Sequence, residues 1–217
     1  MNKPVIAIVG GTGLEGTGLA MRWATAGYQV IIGSRKTERA ETTAAELNQQ
    51  LGINTITGKE NPEAVKNADI CVLTVVSGVH KAAVESLKDD LQGKLVVDAT
   101  ARVKFPEAAP PDPPSAGRIA QDILGDDTRV VTAYQNVPAR ALKKNLDQPV
   151  DCDVLICGDD MEAVDAVVAL TADAGMRGLY AGGLDNAFVV EGLTALIITM
   201  NKTYKGHGMV KITGLNQ

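Results

Sequence analysis

The run Gly10-Gly11-Thr12-Gly13-Leu14-Glu15-Gly16 comes directly after the apolar segment Val5–Val9. The spacing Gly11-x-Gly13-x-x-Gly16 has a definite physical use at a strand-to-helix turn. The first glycine allows the sharp exit from the strand, the second lets backbone approach a pyrophosphate, and the third lets the helix pack closely on the sheet. The helix that follows presents unpaired N–H groups and the positive end of its dipole to the phosphates. Thr12 adds a hydroxyl donor, and Leu14 and Glu15 stand in the first helical turn beside the same anion. The chemistry expected here is dinucleotide binding.

The next apolar segment, Tyr28–Ile32, runs into Gly33-Ser34-Arg35 and has no acidic residue at its tip. An NAD site places Asp or Glu near this position to accept from the ribose hydroxyls. Here Ser34 can donate to a 2′-phosphate, and Arg35 can pair with it or stack on adenine. Arg39, one turn along the following helix, closes the same anion pocket, and Lys36 is a weaker candidate. The pattern selects NADP over NAD.

Other residues fall at the ends of later strand-like runs. Thr74, Val75, Val76 and Ser77 end the segment that begins at Ile70, on the side where the nicotinamide ribose would pass. His80 follows at a helix start, either lining the cleft or lying on the surface. Ala99 sits within Asp98-Ala99-Thr100, where Asp98 could orient backbone or a ribose. Gln135-Asn136-Val137-Pro138 follows another strand, with Gln135 and Asn136 placed to bind the carbonyls of a planar acceptor. No arrangement of His, Asp and Cys proposes a nucleophile or a metal, so no catalytic side chain and no metal ligand is expected. Hydride transfer between two bound rings needs neither, since stacking the rings and excluding water can supply the rate.

Positioning such a site takes alternating strands and helices. Val5–Val9, Tyr28–Ile32, Ile53–Thr57, Ile70–Val76 and Leu95–Val97 read as strands. The helices between them are one ending before Gly27, Thr37–Leu51, a short one near Pro62, and Val79–Leu91. This rhythm predicts an α/β fold, a Rossmann-type doubly wound parallel sheet. It breaks at Lys104–Ser115, which holds five prolines and reads as a loop, either a cover over the carboxyl edge of the sheet or a passive insertion. Helix Ala116–Leu124 and strand Arg129–Tyr134 resume the pattern. Val154–Cys157 and Gly178–Tyr180 flank helix Met161–Ala174 in a small C-terminal α/β extension. That extension ends in an apolar helix from Asp185 to about Thr203, expected to be buried. The division expected is residues 1–135 for NADP and residues 136–217 as a smaller portion closing the acceptor cleft.

Composition narrows the class of function. The chain is 45% hydrophobic but only 3% aromatic, which suits a core of Val, Ile, Leu and Ala in buried parallel strands. A net charge of −5 with scattered basic residues offers no stripe for nucleic acid. No signal peptide or membrane span is expected, and the partner is a small-molecule electron acceptor or donor. Cys71, Cys152 and Cys157, each in or beside an apolar run, read as buried free thiols in a reducing cytoplasm.

The glycine turn, Gly33-Ser34-Arg35, Val154–Asp160 and Val190–Ile197 together make the chain resemble the NADPH-dependent coenzyme F420 reductases, also called F420:NADP oxidoreductases. The resemblance covers nearly the whole chain. It implies reversible hydride transfer between NADP(H) and an 8-hydroxy-5-deazaflavin in a cytoplasmic homodimer. It places Thr12, Ser34, Arg35 and Arg39 on NADP, and the deazaflavin near Val76 and Gln135–Pro138, with the C-terminal helix helping to close the cleft. Members of that family carry histidine at the position of Gln135 and a Pro-Trp pair at Val76-Ser77, and differ in the proline-rich loop. These departures all fall on the acceptor side. The alternatives are an NADPH-dependent reductase of another flavin, an imine or a carbonyl, or a non-catalytic NADP-binding protein.

Overall fold

Ile6–Val9 (β1), Val30–Ser34 (β2), Ile70–Leu73 (β4) and Leu95–Asp98 (β5) are buried at every residue, the pattern of strands covered on both faces. Side chains alternate between the faces. Ile6, Ile8, Ile32, Val72 and Val97 enter one apolar core with Trp23 and Tyr134. Ala7, Val9, Ile31, Leu73 and Val96 enter a second core on the opposite side with Leu91 and Leu124. The structure is a computed structural model and describes residues 3–215.

Eight strands form the sheet, in the order β3-β2-β1-β4-β5-β6-β7-β8. The remaining strands are Ile56–Glu60 (β3), Arg129–Thr132 (β6), Asp153–Gly158 (β7) and Arg177–Tyr180 (β8). Helices Leu14–Thr25 (α1), Thr37–Leu51 (α2), Asn61–Lys66 (α3), Ser77–Ser86 (α4), Lys88–Leu91 (α5) and Ala116–Leu124 (α6) connect β1 to β6. Ala139–Leu142 (α7), Met161–Asp173 (α8) and Ala187–Tyr204 (α9) complete the chain. From β1 the chain winds outward through β2 and β3, then returns to β4 on the other side of β1. That reversal leaves a crevice at the carboxyl ends of β1 and β4, where doubly wound sheets bind ligands.

The first six strands are parallel, as the alternation of elements implies. The C-terminal strands do not continue that direction: β7 pairs antiparallel with β6, and β8 runs parallel to β7. No helical crossover separates β6 from β7. Only the short α7 and an irregular stretch lie between them, so the chain returns along the neighbouring edge in the opposite direction.

Several boundaries differ from the sequence expectation for local reasons. β3 begins three residues late, at Ile56 instead of Ile53. Gly52 caps α2 in the left-handed region, and the Asn48 amide holds both the N–H and the C=O of Ile56 at 3.1 and 2.7 Å. The helix expected over Val79–Leu91 divides at Leu87 into α4 and α5. β4 stops at Leu73, and β6 stops at Thr132 because Tyr134 turns the chain with φ of 74°.

The last helix is a larger correction. α9 buries only Ala187, Val190, Glu191 and Ala195, whereas Val189, Leu196 and Met200 are more than half exposed. An apolar composition all round predicts burial, but the sheet and the proline loop cover a single face. Between the uncovered face and the proline-rich loop lies a groove of ≈ 530 Å³, lined among others by Pro110, Pro111, Leu155, Phe188, Leu193 and Leu196. The loop itself packs on α9, with Val103 and Ala108 against Ala195. The ion pair Lys104–Asp112 closes it at 2.6 Å.

Candidate functional site

The glycine turn is built as its spacing demands. Gly10 takes φ of +72°, a region glycine enters without penalty. Gly11 donates its N–H to the carbonyls of Ile8 and Gly33 at 3.1 and 2.9 Å, tying the turn to the ends of both β1 and β2. A Cβ on Gly11 would lie 2.7 Å from the Ile8 carbonyl oxygen, and one on Gly16 would lie 2.6 Å from Gly11 Cα and 2.8 Å from Thr74 Oγ1. Gly16 therefore sets how closely α1 can lie on the turn. Gly13 precedes α1 with no side chain capping that end, and it is exposed with no neighbour closer than 3.7 Å to an added Cβ. These glycines line a cradle that side chains would fill, open at the positive end of a 12-residue helix. Thr12 is partly exposed and Leu14 is exposed at its mouth.

Glu15 occupies the first turn of α1, and its carboxyl leaves Oε1 shut from solvent without a hydrogen-bond partner. Burial raises its pKa to about 8, favouring the neutral carboxylic acid over the carboxylate.

The second anchoring position lies at the end of β2. Ser34 is buried, and its Oγ accepts from the Lys36 N–H at 3.3 Å, which leaves the hydroxyl proton free to donate. Arg35, Lys36 and Arg39 are exposed, and among the described residues none is in an ion pair. A residue the sequence reading missed, Asn61, joins this region to the turn. Its Oδ1 accepts from the Gly10 N–H at 3.4 Å and would be 2.7 Å from a Cβ on Gly33. As the first residue of α3 it lacks any periodic signal.

On the other side of β1, Thr74 fixes the β4 end by donating Oγ1–H to the Val9 carbonyl at 3.1 Å. Val75 lies against Gly10, and Val76 and Ser77 are exposed at the start of α4. Ala99 donates its N–H to the Leu73 carbonyl at 3.0 Å, which holds the β5 end against the β4 end.

His80 is neither on the surface nor open to the cleft. It is 2% exposed, with Nε2 at 2.6 Å from Oδ2 of the fully buried Asp98. Asp98 Oδ1 accepts from the Thr100 N–H at 2.9 Å, so this carboxylate is occupied within the protein and does not reach a ribose. Burial disfavours the imidazolium, but the hydrogen bond and charge of Asp98, with Glu191 adding to them, raise the His80 pKa against the opposing charge of Arg102. The pair lies under the Val75 and Thr100 rim, where Thr100 Oγ1 also meets the Val75 carbonyl at 3.4 Å.

The β6 end corrects the roles expected of Gln135 and Asn136. Asn136 spends both ends of its amide on β7: Nδ2 donates to the Asp153 carbonyl at 2.7 Å, and Oδ1 accepts from the Leu155 N–H at 3.2 Å. Both ends of that buried amide are anchored on β7, which ties the β6 end to the antiparallel pair. Gln135 donates one Nε2–H to the Asp98 carbonyl at 3.1 Å, while its buried Oε1 has no partner. Val137 is buried and Pro138 begins α7.

α9 reaches this rim through two residues. Thr194 donates to the Gln135 carbonyl at 2.8 Å. Glu191, fully buried, accepts from the N–H groups of Ala116 at 2.7 Å and Arg102 at 3.1 Å, linking the start of α6 and the proline loop to α9. A glutamate inside the apolar run Val189–Ile198 was the available signal, since a buried carboxylate needs donors. Arg22 was also missed. It lies on the buried face of α1, where its guanidinium holds the carbonyls of Leu142, Lys144 and Gln148, fixing the stretch after α7.

The three cysteines are buried free thiols, as expected, and burial raises their pKa values to about 12, 11 and 11 for Cys71, Cys152 and Cys157. None is a nucleophile in that state. Among the described residues no cluster of His, Cys, Asp and Glu can hold a metal.

The chain is similar to known proteins in sequence and in fold. Residues 5–102 match the family model for coenzyme F420-dependent NADP oxidoreductase. The F420-dependent NADP reductase of Methanocaldococcus jannaschii is 40% identical over 97% of this chain and 98% of its own. That of Methanothermobacter thermautotrophicus is 36% identical over 90% and 88%. A crystal structure described as a putative F420-dependent NADP reductase from Arthrobacter sp. FB24 superposes with a TM-score of 0.82 at 23% identity, over 98% of this chain and all of the other. With the likeness to the curated relatives running the full length of the chain, this protein belongs to the family of coenzyme F420-dependent NADP oxidoreductases.

Proposed function

We propose that this enzyme transfers a hydride reversibly between NADP(H) and the 8-hydroxy-5-deazaflavin coenzyme F420. The supporting observation is an uncapped helix N-terminus over a glycine cradle, with Ser34, Arg35 and Arg39 beside it. It occurs in a chain whose full-length relatives are named F420-dependent NADP reductases. Bound NADP(H) supplies the hydride-carrying nicotinamide.

The chain's own residues bind, orient and exclude water. The turn Gly11–Gly16, with the Thr12 hydroxyl, holds the pyrophosphate. Ser34, Arg35 and Arg39 hold the 2′-phosphate. Thr74, Val75, Val76, Ser77 and Ala99 line the nicotinamide side, and Gln135, Val137 and Pro138 line the acceptor side. His80 acts from behind, through Asp98. No side chain has to give or take a proton at the transferred hydride, and direct stacking of the two rings suffices. In this reading residues 1–135 bind NADP, and residues 136–217 close the acceptor cleft.

The partly exposed apolar face of α9 supports a homodimer, because a monomer gains nothing by showing Val189, Leu196 and Met200 to water on one helix. Among the described residues no helix is long and apolar enough to cross a membrane. The buried free thiols fit a reducing cytoplasm.

A spectrophotometric assay with NADPH and oxidised deazaflavin, run beside FMN and riboflavin, tests the activity. Rapid turnover restricted to the deazaflavin is expected. Tight NADPH binding without deazaflavin turnover would overturn the reading.

A further inference from the structure

Asn61 lies outside the glycine motif and outside the Gly33-Ser34-Arg35 segment, yet its side chain reaches both strand ends that carry them. The parallel register sets Ser34 beside Glu60, so the residue after Glu60 leaves β3 alongside the tip of β2. From there the carboxamide crosses β2 towards β1, and Oδ1 accepts from the Gly10 N–H at 3.4 Å. The crossing needs glycine at position 33, where a Cβ would lie 2.7 Å from that oxygen.

The partner fixes which end of the amide is free. A backbone N–H can only donate, so the oxygen of Asn61 faces Gly10 and the nitrogen, with two N–H donors, is left over. Asn61 is half-buried, and its Nδ2 has no hydrogen-bond partner among the described residues and is not shut from solvent. A dinucleotide laid across the crevice places its pyrophosphate at the β1 turn and its adenosine ribose at the β2 end, where the 2′-substituent is read. The carboxamide lies between Gly10 and Gly33, at the ends of those two strands. A 2′-phosphate there offers acceptor oxygens only and carries negative charge, so it takes a hydrogen bond from a fixed amide donor more strongly than a ribose hydroxyl does.

We propose that Asn61 is a specificity-determining residue of the dinucleotide site, donating from Nδ2 to the 2′-phosphate of NADP(H) while Oδ1 stays on the Gly10 N–H. The proposal rests on the reading of the β2 end as the 2′-phosphate site. It makes β3 a third contributor to that site, beside Ser34 and the arginines, and it couples the 2′-phosphate to the glycine turn through one side chain.

The test measures binding of NADPH, NADH and adenosine 2′,5′-bisphosphate to the full chain by calorimetry, for wild type, Asn61→Asp and Asn61→Ala. Asn61→Asp keeps an oxygen for the Gly10 N–H and puts a carboxylate oxygen where the donor was. It is expected to weaken NADPH and the bisphosphate by about tenfold or more, the scale of one charge-assisted hydrogen bond, and to leave NADH within about threefold of wild type or tighter. Asn61→Ala, which removes the donor without adding charge, is expected to fall between the two. Equal losses for NADPH and NADH in Asn61→Asp would overturn the proposal, because the side chain would then only support the glycine turn. Unchanged NADPH binding in both variants overturns it as well. Wild type gives a reading that needs no variant to fold: the side-chain amide resonances of Asn61 should shift when the bisphosphate is added and stay in place with ADP. Resonances that ignore the bisphosphate overturn the proposal. If wild type binds NADPH and NADH equally, the reading of Ser34, Arg35 and Arg39 as a 2′-phosphate site fails, and the proposal falls with it.

Discussion

His80 Nε2 lies 2.6 Å from Asp98 Oδ2, with the two side chains 3% and 0% exposed, on elements that meet just below the rim of the cleft. Such a pair is stable as a unit and costly to split. Because the His80 pKa is raised in the folded protein, its stabilising contribution is complete below the ordinary histidine value and is lost as pH rises through the elevated one. Asp98→Asn should therefore cost roughly 3 kcal/mol at pH 6, and less at alkaline pH where the imidazole is already neutral. Urea unfolding at the two pH values reads this difference. An equal cost at both would show that charge is not what holds the pair.

Arg35→Ala should raise KM for NADPH by about tenfold or more and leave NADH nearly untouched, the scale expected for one charge-assisted contact to the 2′-phosphate. Steady-state kinetics with both dinucleotides decide it. Equal losses would place the guanidinium on adenine instead.

The glycines separate folding from binding. Gly13 has φ of −80° and open space around it, so Gly13→Ala should leave the melting temperature within about 2 °C while weakening NADPH through the lost backbone approach. Gly16→Ala puts a methyl 2.6 Å from Gly11 Cα, and stability should fall by about 1–3 kcal/mol. Thermal melts paired with NADPH titrations distinguish the two effects, and a strong loss of stability in Gly13→Ala would contradict them.

Glu15 should make the protein less stable as pH rises. Burial raises its folded pKa to about 8, so its favourable contribution is complete below the ordinary value of 4.5 and gone above about 8. Glu15→Gln removes this titration, and its melting temperature should decline less than that of wild type between pH 5 and pH 8.5. Parallel profiles would mean that Glu15 is already ionised near neutrality.

Leu196→Glu places a charge on the uncovered face of α9 without touching the cleft rim. Sedimentation velocity should show wild type as a dimer and the variant shifted to monomer. A variant that remains fully dimeric would locate the interface elsewhere.

Much of the sequence reading rested on local physics, and that part agrees with the structure. The glycine spacing placed the turn between β1 and α1 because close backbone approaches at Gly11 and Gly16 tolerate no side chain. The β-branched runs located the strands, since short strands covered on both faces read as unbroken apolar stretches. Where a boundary slipped, a side chain had taken a backbone partner, as Asn48 does with Ile56.

The uses of the polar rim residues depended on tertiary structure. Residue type made Gln135, Asn136, His80 and Asp98 equal candidates for touching a ligand. Packing separated them, because each buried donor and acceptor must find a partner and the nearest are often backbone groups distant in sequence. Asn136 is anchored on β7, His80 and Asp98 hold each other, and Gln135 is tied to the Asp98 carbonyl. The reversed direction of β7 and the exposed flank of α9 were likewise invisible along the chain, because strand direction and the covering of a helix face are set by what packs alongside. Short-range sterics and hydrophobic periodicity made the fold class and the dinucleotide turn legible along the chain. Long-range competition for hydrogen bonds, visible in the folded chain and nowhere along the sequence, set which backbone groups hold each polar rim side chain.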